Sequence, residues 1–440
     1  MPTSPLRHDV RELAGLAVPL ALTQLAQVAL TTTDTLMLGM LGVQALAAGG
    51  LAMVIFNQLR TMGVGLVTAV GNQVAAAHAR DEDVGDLVRA AMALATIAGL
   101  VGGAAMVVIG EAVALLGQEP AVIERMRPIL WALAPGLLPC LWFQALRQFT
   151  VGMRRPQALL RITLASIVVN AALNAALVHP LGPAGIGAAT SAVYLATFIA
   201  LYVSARRDPE LAPALNLRLW RARPATVRRL TGLGLPIAAT YGSEAGFFSV
   251  VALIIGTSGT AALAAHTAVN QLVYIVFQVS VGLSHAASIS VSRQIALGQP
   301  GQARRIARAA LACGAAVMAL VAVLYLALPD LVLRPFLGAD GGTALTIATS
   351  LLMVAAVMQF VDCAQNIGVG LLRGLDDTKS GFRLTLVGYW LVGLPLAALL
   401  AGPAGLGALG TWLGLLGGLT ATAGLLLRRF SSGLAALPAQ

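Results

Sequence analysis

The sequence predicts an all-α polytopic membrane protein: twelve transmembrane helices in two pseudo-symmetric six-helix lobes. Three observations carry this. Of the 440 residues, 58% are hydrophobic and only 10% are charged, whereas soluble domains carry about 25% charged residues. Apolar runs of about 20 residues, the length that crosses a bilayer, recur along the whole chain. The chain also repeats itself, at an offset near 217 residues.

The spans fall near 13–38, 45–77, 90–111, 128–152, 162–180, 185–203, 230–256, 262–291, 308–328, 344–372, 384–401 and 405–427. The opening MPTSPLRHDVREL is polar, and the apolar segment behind it is too long for the core of a signal peptide. The first span is therefore expected to stay as an anchor. Cys140, Cys313 and Cys363 all lie in apolar segments without metal-ligand spacing, as buried thiols do.

The net charge of +10 is a matter of topology. With the N-terminus in the cytoplasm, only Arg125, Arg127 and Arg334 fall on the far side, while Arg60 and Arg147 lie within spans. The opposite orientation violates the positive-inside rule. Both termini are thus expected inside, and the basic balance calls for a bilayer rather than a nucleic acid as partner.

The repeat is legible in short matches. LAGLAVP (13–19) answers LTGLGLP (230–236), and TVGMRRP (150–156) is set against GVGLLRG (368–374). RITL (161–164) answers RLTL (383–386), and GPAGIGA (182–188) answers GPAGLGA (402–408). Six spans per half is an even number, so both halves enter from the same side, as in parallel-repeat transporters. The expected division is an N-lobe at 1–203, a cytoplasmic link at 204–229 and a C-lobe at 230–440. That link is polar, basic and proline-containing.

All but three of the 18 Asp and Glu fall in loops or at helix ends. The exceptions are Asp34, Glu244 and Asp362. An ionisable group at the centre of a transmembrane helix costs about 2.5–3.5 kcal/mol, so three together cost on the order of 8–10 kcal/mol. On the sequence register Gln27 matches Glu244, Gln144 matches Asp362 and Val251 matches Asp34. Each acid thus faces an uncharged counterpart, and the fold itself does not require the charges.

Polar side chains accompany the acids. Gln359, Asp362, Gln365 and Asn366 share one helical face, and His266, Asn270, Tyr274 and Gln278 recur at every fourth residue. Tyr241, Phe247 and Phe248 flank Glu244, and Asn170 and Asn174 stand one turn apart, available to Asp34. Such stripes are expected to face a bundle interior or a water-filled cavity. Carboxylates there can bind a proton, or Na⁺ with amide oxygens, at Glu244/Asp362 or at Asp34/Asn170/Asn174. Aromatic faces beside Glu244 suit an organic cation. The substrate-contact candidates are Tyr241, Phe247, Phe248, Asn270, Tyr274, Gln278, Gln365 and Asn366. Arg60, mid-span, is expected either to snorkel towards the lipid head groups or to pair with Asp34.

At these residues the chain resembles the multidrug and toxic compound extrusion (MATE) family, in its NorM-like branch. The resemblance rests on TDTLMLGMLGVQALAA (33–48), NAALNAAL (170–177), GPAGIGAAT (182–190), LAAHTAVNQL (263–272) and LLRGLDDTK (371–379), in this order. It implies two six-helix lobes and export of organic cations driven by Na⁺ or H⁺ entry, with no cofactor. It places the family's first-helix aspartate on Asp34, its fifth-helix polar pair on Asn170 and Asn174, and its seventh- and tenth-helix acids on Glu244 and Asp362. A monomer in the inner membrane of a bacterium is expected. The alternative is a lipid-linked saccharide flippase of the same broad superfamily, whose anionic cargo calls for arginines where these acids stand. No P-loop and no nucleophile motif of a hydrolase is present, so the chain is not expected to be an enzyme.

Overall fold

The computed structural model describes residues 5–112, 120–215, 218–338 and 342–437. The extreme termini, predicted cytoplasmic, lie outside these residues, as do residues 216 and 217 of the predicted link. The helices are α1 (Pro5–Met40), α2 (Val43–Ala79), α3 (Gly85–Ala112), α4 (Pro120–Leu133), α5 (Leu137–Gly152), α6 (Gln157–Leu181), α7 (Ala184–Arg207) and α8 (Pro224–Gly256). They continue as α9 (Thr260–Ala296), α10 (Pro300–Ala327), α11 (Pro329–Leu337), α12 (Gly342–Gly374), α13 (Thr378–Leu386), α14 (Leu394–Ala401) and α15 (Gly407–Ala435). A 3₁₀ turn, Ala134–Gly136, joins α4 to α5, and a π-helical turn, Val387–Gly393, joins α13 to α14.

Among the described residues, twelve stretches are long and apolar enough to cross a membrane. Most run several residues beyond the spans read from hydropathy, because a backbone leaving the hydrocarbon keeps its helical hydrogen bonds until water can replace them. The 204–229 link is more ordered than its composition suggests. α7 continues to Arg207, 3₁₀ turns come after it at Ala212–Ala214 and Leu219–Arg221, and α8 starts at Pro224. α11 is a short helix between spans that hydropathy did not mark. It opens on proline and carries an Asp330–Arg334 ion pair one turn apart.

The chain forms two compact units. The first holds Leu22–Tyr241; the second holds the residues up to Ala21 together with those from Gly242 onward. The start of α8 therefore groups with the first unit and the start of α1 with the second, unlike the sequence division at 203 and 230. Close backbone approaches at glycines accompany this grouping. A Cβ on Gly65 would lie 2.7 Å from Ala238 Cα, and a Cβ on Gly282 would lie 2.6 Å from the Ala21 nitrogen. Gly282 comes 217 residues after Gly65, as Ala238 comes after Ala21. The same backbone approach is thus built twice, once in each unit.

The turns repeat as well. Gly42 (φ 106°) and Gly259 (φ 104°) open α2 and α9 with a backbone that favours glycine. Asp377 caps the start of α13; its carboxylate accepts from the Ser380 amide at 3.3 Å and from Arg429 Nε at 2.8 Å. Partial burial raises the Asp377 pKa, but these hydrogen bonds and the Arg429 charge outweigh it and hold the carboxyl below its ordinary value.

With the backbones this close, Gly65→Ala and Gly282→Ala should each lower thermal stability by about 1–3 kcal/mol, because the helix opposite must move. Gly424→Ala, with nothing within 4 Å of its added Cβ, should change it by no more than about 1 kcal/mol, in the stabilising direction. Thermal melts of the three purified variants decide it, and equal melting temperatures would refute these close backbone approaches. Asp377→Asn keeps an N-capping acceptor and loses the charge, so it should cost no more than about 1 kcal/mol at neutral pH, since the Arg429 guanidinium is half-exposed. A lowered folded-state pKa gives stability that is present above the unfolded value and lost as pH falls through the folded one. The gap between wild type and variant melts should therefore close on acidification.

Candidate functional site

The first polar centre lies in the first unit. In the run TTTDT of α1, Thr31, Thr32, Thr33 and Thr35 each return their hydroxyl to the carbonyl four residues back, at 2.8–3.0 Å. Asp34, only 1% exposed, turns instead to other helices. Asn170 Nδ2 and Asn174 Nδ2 on α6 donate to Asp34 Oδ1 at 2.9 and 2.8 Å. Thr190 Oγ1 on α7 lies 2.8 Å from Asp34 Oδ2 and 3.0 Å from the Ile186 carbonyl, so it shares one proton between them. Asn174 Nδ2 also donates to Asn170 Oδ1 at 2.8 Å, and Asn174 Oδ1 is buried without a donor.

All of these Asp34 partners are neutral. Arg60 does not supply the counter-charge: its Nε donates to Asn57 Oδ1 at 3.3 Å. It lines a small cavity of about 20 Å³ with Gln27, Thr31, Thr163, Ser166 and Tyr194, enough room for one water.

The second centre lies in the second unit. Glu244, half-buried on α8, accepts from Tyr389 Oη at 3.2 Å. Asp362 on α12 is 4% exposed and accepts from Asn366 Nδ2 at 3.3 Å. Asn366 Nδ2 also reaches the Asp362 carbonyl at 3.0 Å and Gln365 Oε1 at 3.2 Å. Glu244 and Asp362 lie within electrostatic reach of one another, and Tyr389 of both. Next to them Trp390 Nε1 donates to Ser243 Oγ at 2.8 Å.

The remaining candidates separate. Phe247 is 1% exposed and stacks on Tyr389 with ring centroids 4.9 Å apart. It belongs to the apolar core with Val251, Ile255 and Trp412, and Phe248 packs at the edge of that core. His266 and Gln278 are buried, Asn270 is half-buried and Tyr274 is 44% exposed, so the four-residue stripe does not face a single environment. His266 Nδ1 accepts from Trp412 Nε1 at 3.2 Å, an interhelical bond. Gln365 is buried beside Asp362, and half-buried Tyr241 falls in the first unit.

Sequence reasoning missed Tyr389, Trp390 and Thr190. Tyr389 and Trp390 sit in the π-helical turn, an irregularity common at functional sites. Hydropathy shows an aromatic pair there but not its direction. Thr190 closes the GPAGIGAAT stretch, but a threonine in an apolar helix is usually spent on its own backbone.

The structure also corrects one repeat pairing. A Cβ on Gly152 would meet the Gly71 carbonyl and Val74, and a Cβ on Gly374 would meet the Ser288 carbonyl and Val291. Arg154 and Asp376, just beyond, share φ 60°. The register here is therefore 222, not 218, and the counterpart of Asp362 is Cys140 rather than Gln144. The acid still has no acidic twin.

The MatE family profile matches residues 19–176 and again 236–399, starting at the paired Pro19 and Pro236. A protein of Pseudomonas aeruginosa described as a probable multidrug resistance protein NorM is 38% identical over 96% of this chain and 89% of its own. One of the same description from Bradyrhizobium diazoefficiens is 38% identical over 98% and 95%. The solved outward-facing conformation of a multidrug resistance MATE family transporter of the MOP superfamily covers 99% of both chains with a TM-score of 0.89, at 16% identity. The two profile matches and the full-length relatives place this chain in the MatE family: it is a NorM-like MATE transporter.

Proposed function

We propose that the protein is a secondary active multidrug exporter that exchanges Na⁺ or H⁺ for organic, mostly cationic compounds by alternating access. One observation carries the reading. Three membrane-embedded carboxylates are held by neutral side chains alone, with no basic partner among the described residues. A carboxylate at that depth calls for a positive charge from elsewhere, which a proton, a metal cation or an organic cation supplies. A group that accepts either the coupling ion or the cargo makes the two compete, and competition across two orientations is exchange. The names of the full-length relatives, multidrug resistance proteins, support the same cargo class.

In this reading Asp34 is the coupling residue of the first centre. Its carboxylate, the Asn170 and Asn174 amide oxygens and the Thr190 hydroxyl make an all-oxygen donor set of the kind Na⁺ takes, and Asn174 Oδ1 already lacks a donor. A proton on Asp34 would serve equally, with Asn170 and Asn174 as acceptors after amide rotation. Glu244 and Asp362 form the second centre, where Tyr389 positions Glu244. The lobes at 1–203 and 230–440, the monomer, the inner-membrane location and the cytoplasmic termini belong to the same proposal.

Inverted membrane vesicles loaded with each gradient separately provide the test. One monovalent cation entering down 100 mV yields about 2.3 kcal/mol, enough for roughly a fifty-fold gradient of a neutral compound. Ethidium movement should track a Na⁺ or H⁺ gradient and stop when that gradient is collapsed. Movement that persists without either gradient and fails on ATP depletion would refute the exchange.

Glu244→Gln should insert normally and melt no lower than wild type, since an amide removes a buried charge worth up to about 3 kcal/mol of insertion cost. It should nevertheless lose the ion dependence of efflux. Asp362→Asn should act alike, and the double variant should be little worse than either, because the two acids share one centre. Asp34→Asn should abolish transport while ethidium binding stays measurable. Wild-type ion dependence in Glu244→Gln vesicles would remove Glu244 from the coupling role.

A further inference from the structure

An open groove of about 420 Å³ runs between α6 and α7, wholly inside the first unit. Its walls are apolar: Ile162, Ala165 and Val169 on one side, Val193, Ala196 and Ala200 on the other. From Ala158 to Val169 the groove tracks twelve residues of α6, eleven steps with a rise of about 17 Å at 1.5 Å per residue. That is about one leaflet of a hydrocarbon core roughly 30 Å thick.

One end of the groove is charged. Arg161 and Ser204 line it there, and Arg207 stands three residues beyond Ser204 on the same helical face. Both arginines are exposed. Neither has a hydrogen-bond or ion-pair partner among the described residues. Their neighbours are committed, Arg155 to Glu210 and Arg206 to the Leu215 carbonyl. Arg161 lies one turn from the start of α6 and Arg207 at the end of α7, on the side that the charge distribution assigns to the cytoplasm.

We propose that this groove is a binding site for an anionic phospholipid of the cytoplasmic leaflet. One acyl chain lies along the apolar walls, and the phosphate sits between Arg161 and Arg207 with Ser204 as a further donor. Basic pockets between transmembrane helices on this side of a membrane take anionic head groups. A net-negative head group is required because two uncompensated guanidiniums flank the mouth, and a zwitterionic head group brings its own cation to them. The same charge argues against an organic cation as the occupant.

The test uses the full-length protein in detergent, offered phosphatidylglycerol or phosphatidylcholine with identical acyl chains, with retained lipid counted by native mass spectrometry. Wild type should retain phosphatidylglycerol about thirty-fold better, two arginines each giving roughly a five-fold preference. Arg161→Gln with Arg207→Gln should bring that ratio close to one, and the corresponding lysine pair should keep most of it. Ala165→Trp, which fills the groove, should reduce retention of both lipids. A wild type without preference, a preference surviving in the glutamine pair, or full retention in Ala165→Trp would each overturn the site. Preference lost in the glutamine pair but kept in the lysine pair separates the charge from misfolding, and loss of preference in both would overturn the site.

Discussion

A bilayer core offers no hydrogen bonds, so every polar group placed there must be solvated by the protein itself. The rest of this structure is arranged around that constraint. Asp34 receives three neutral donors from two other helices, and the threonines beside it are satisfied by their own backbone. Solvation by amides and hydroxyls, without a fixed cation, compensates part of the cost and leaves the charge itself unmatched. An ion pair with Arg60 would have closed the site to any mobile cation. Neutral donors leave it open to one.

The frame that holds these groups is duplicated, but its chemistry is not. Gly65 against Ala238 and Gly282 against Ala21 are one backbone contact made twice. Gly152 and Gly374 repeat another, with matching residues opposite each. Packing without a hydrophobic driving force relies on such close approaches, so small residues persist in both halves. The acids do not persist. Val251 stands where the first half has Asp34, and Cys140 where the second has Asp362. Symmetry supplies two similar scaffolds, and asymmetric substitution gives each its own polar centre.

The π-helical turn at Val387–Gly393 shows how a local irregularity redirects side chains. A widened turn rotates the residues beyond it relative to a regular α-helix. Tyr389 thereby reaches Glu244 with its hydroxyl and Phe247 with its ring, while Trp390 reaches Ser243. Phe247, an aromatic neighbour of Glu244 in sequence, is consequently spent on the core. The ring whose hydroxyl meets the acid comes from the π-helical turn far along the chain.

The sequence by itself determined the helical class, the number of spans, the repeat and the identity of the three exceptional acids. Each of these comes from composition and spacing along one chain: apolar run length, a recurring offset, and charge where charge is expensive. It also placed Asn170 and Asn174 within a turn of each other, because helical spacing is local. Tertiary structure decided the rest. It turned Thr190 and Tyr389 towards the acids, gave Arg60 to Asn57, moved the repeat register at Asp362 from 218 to 222, and grouped the starts of α1 and α8 with the opposite halves of the chain. Those outcomes depend on how far one helix is rotated and advanced against another. Periodicity fixes which residues share a face, but only packing fixes what that face meets.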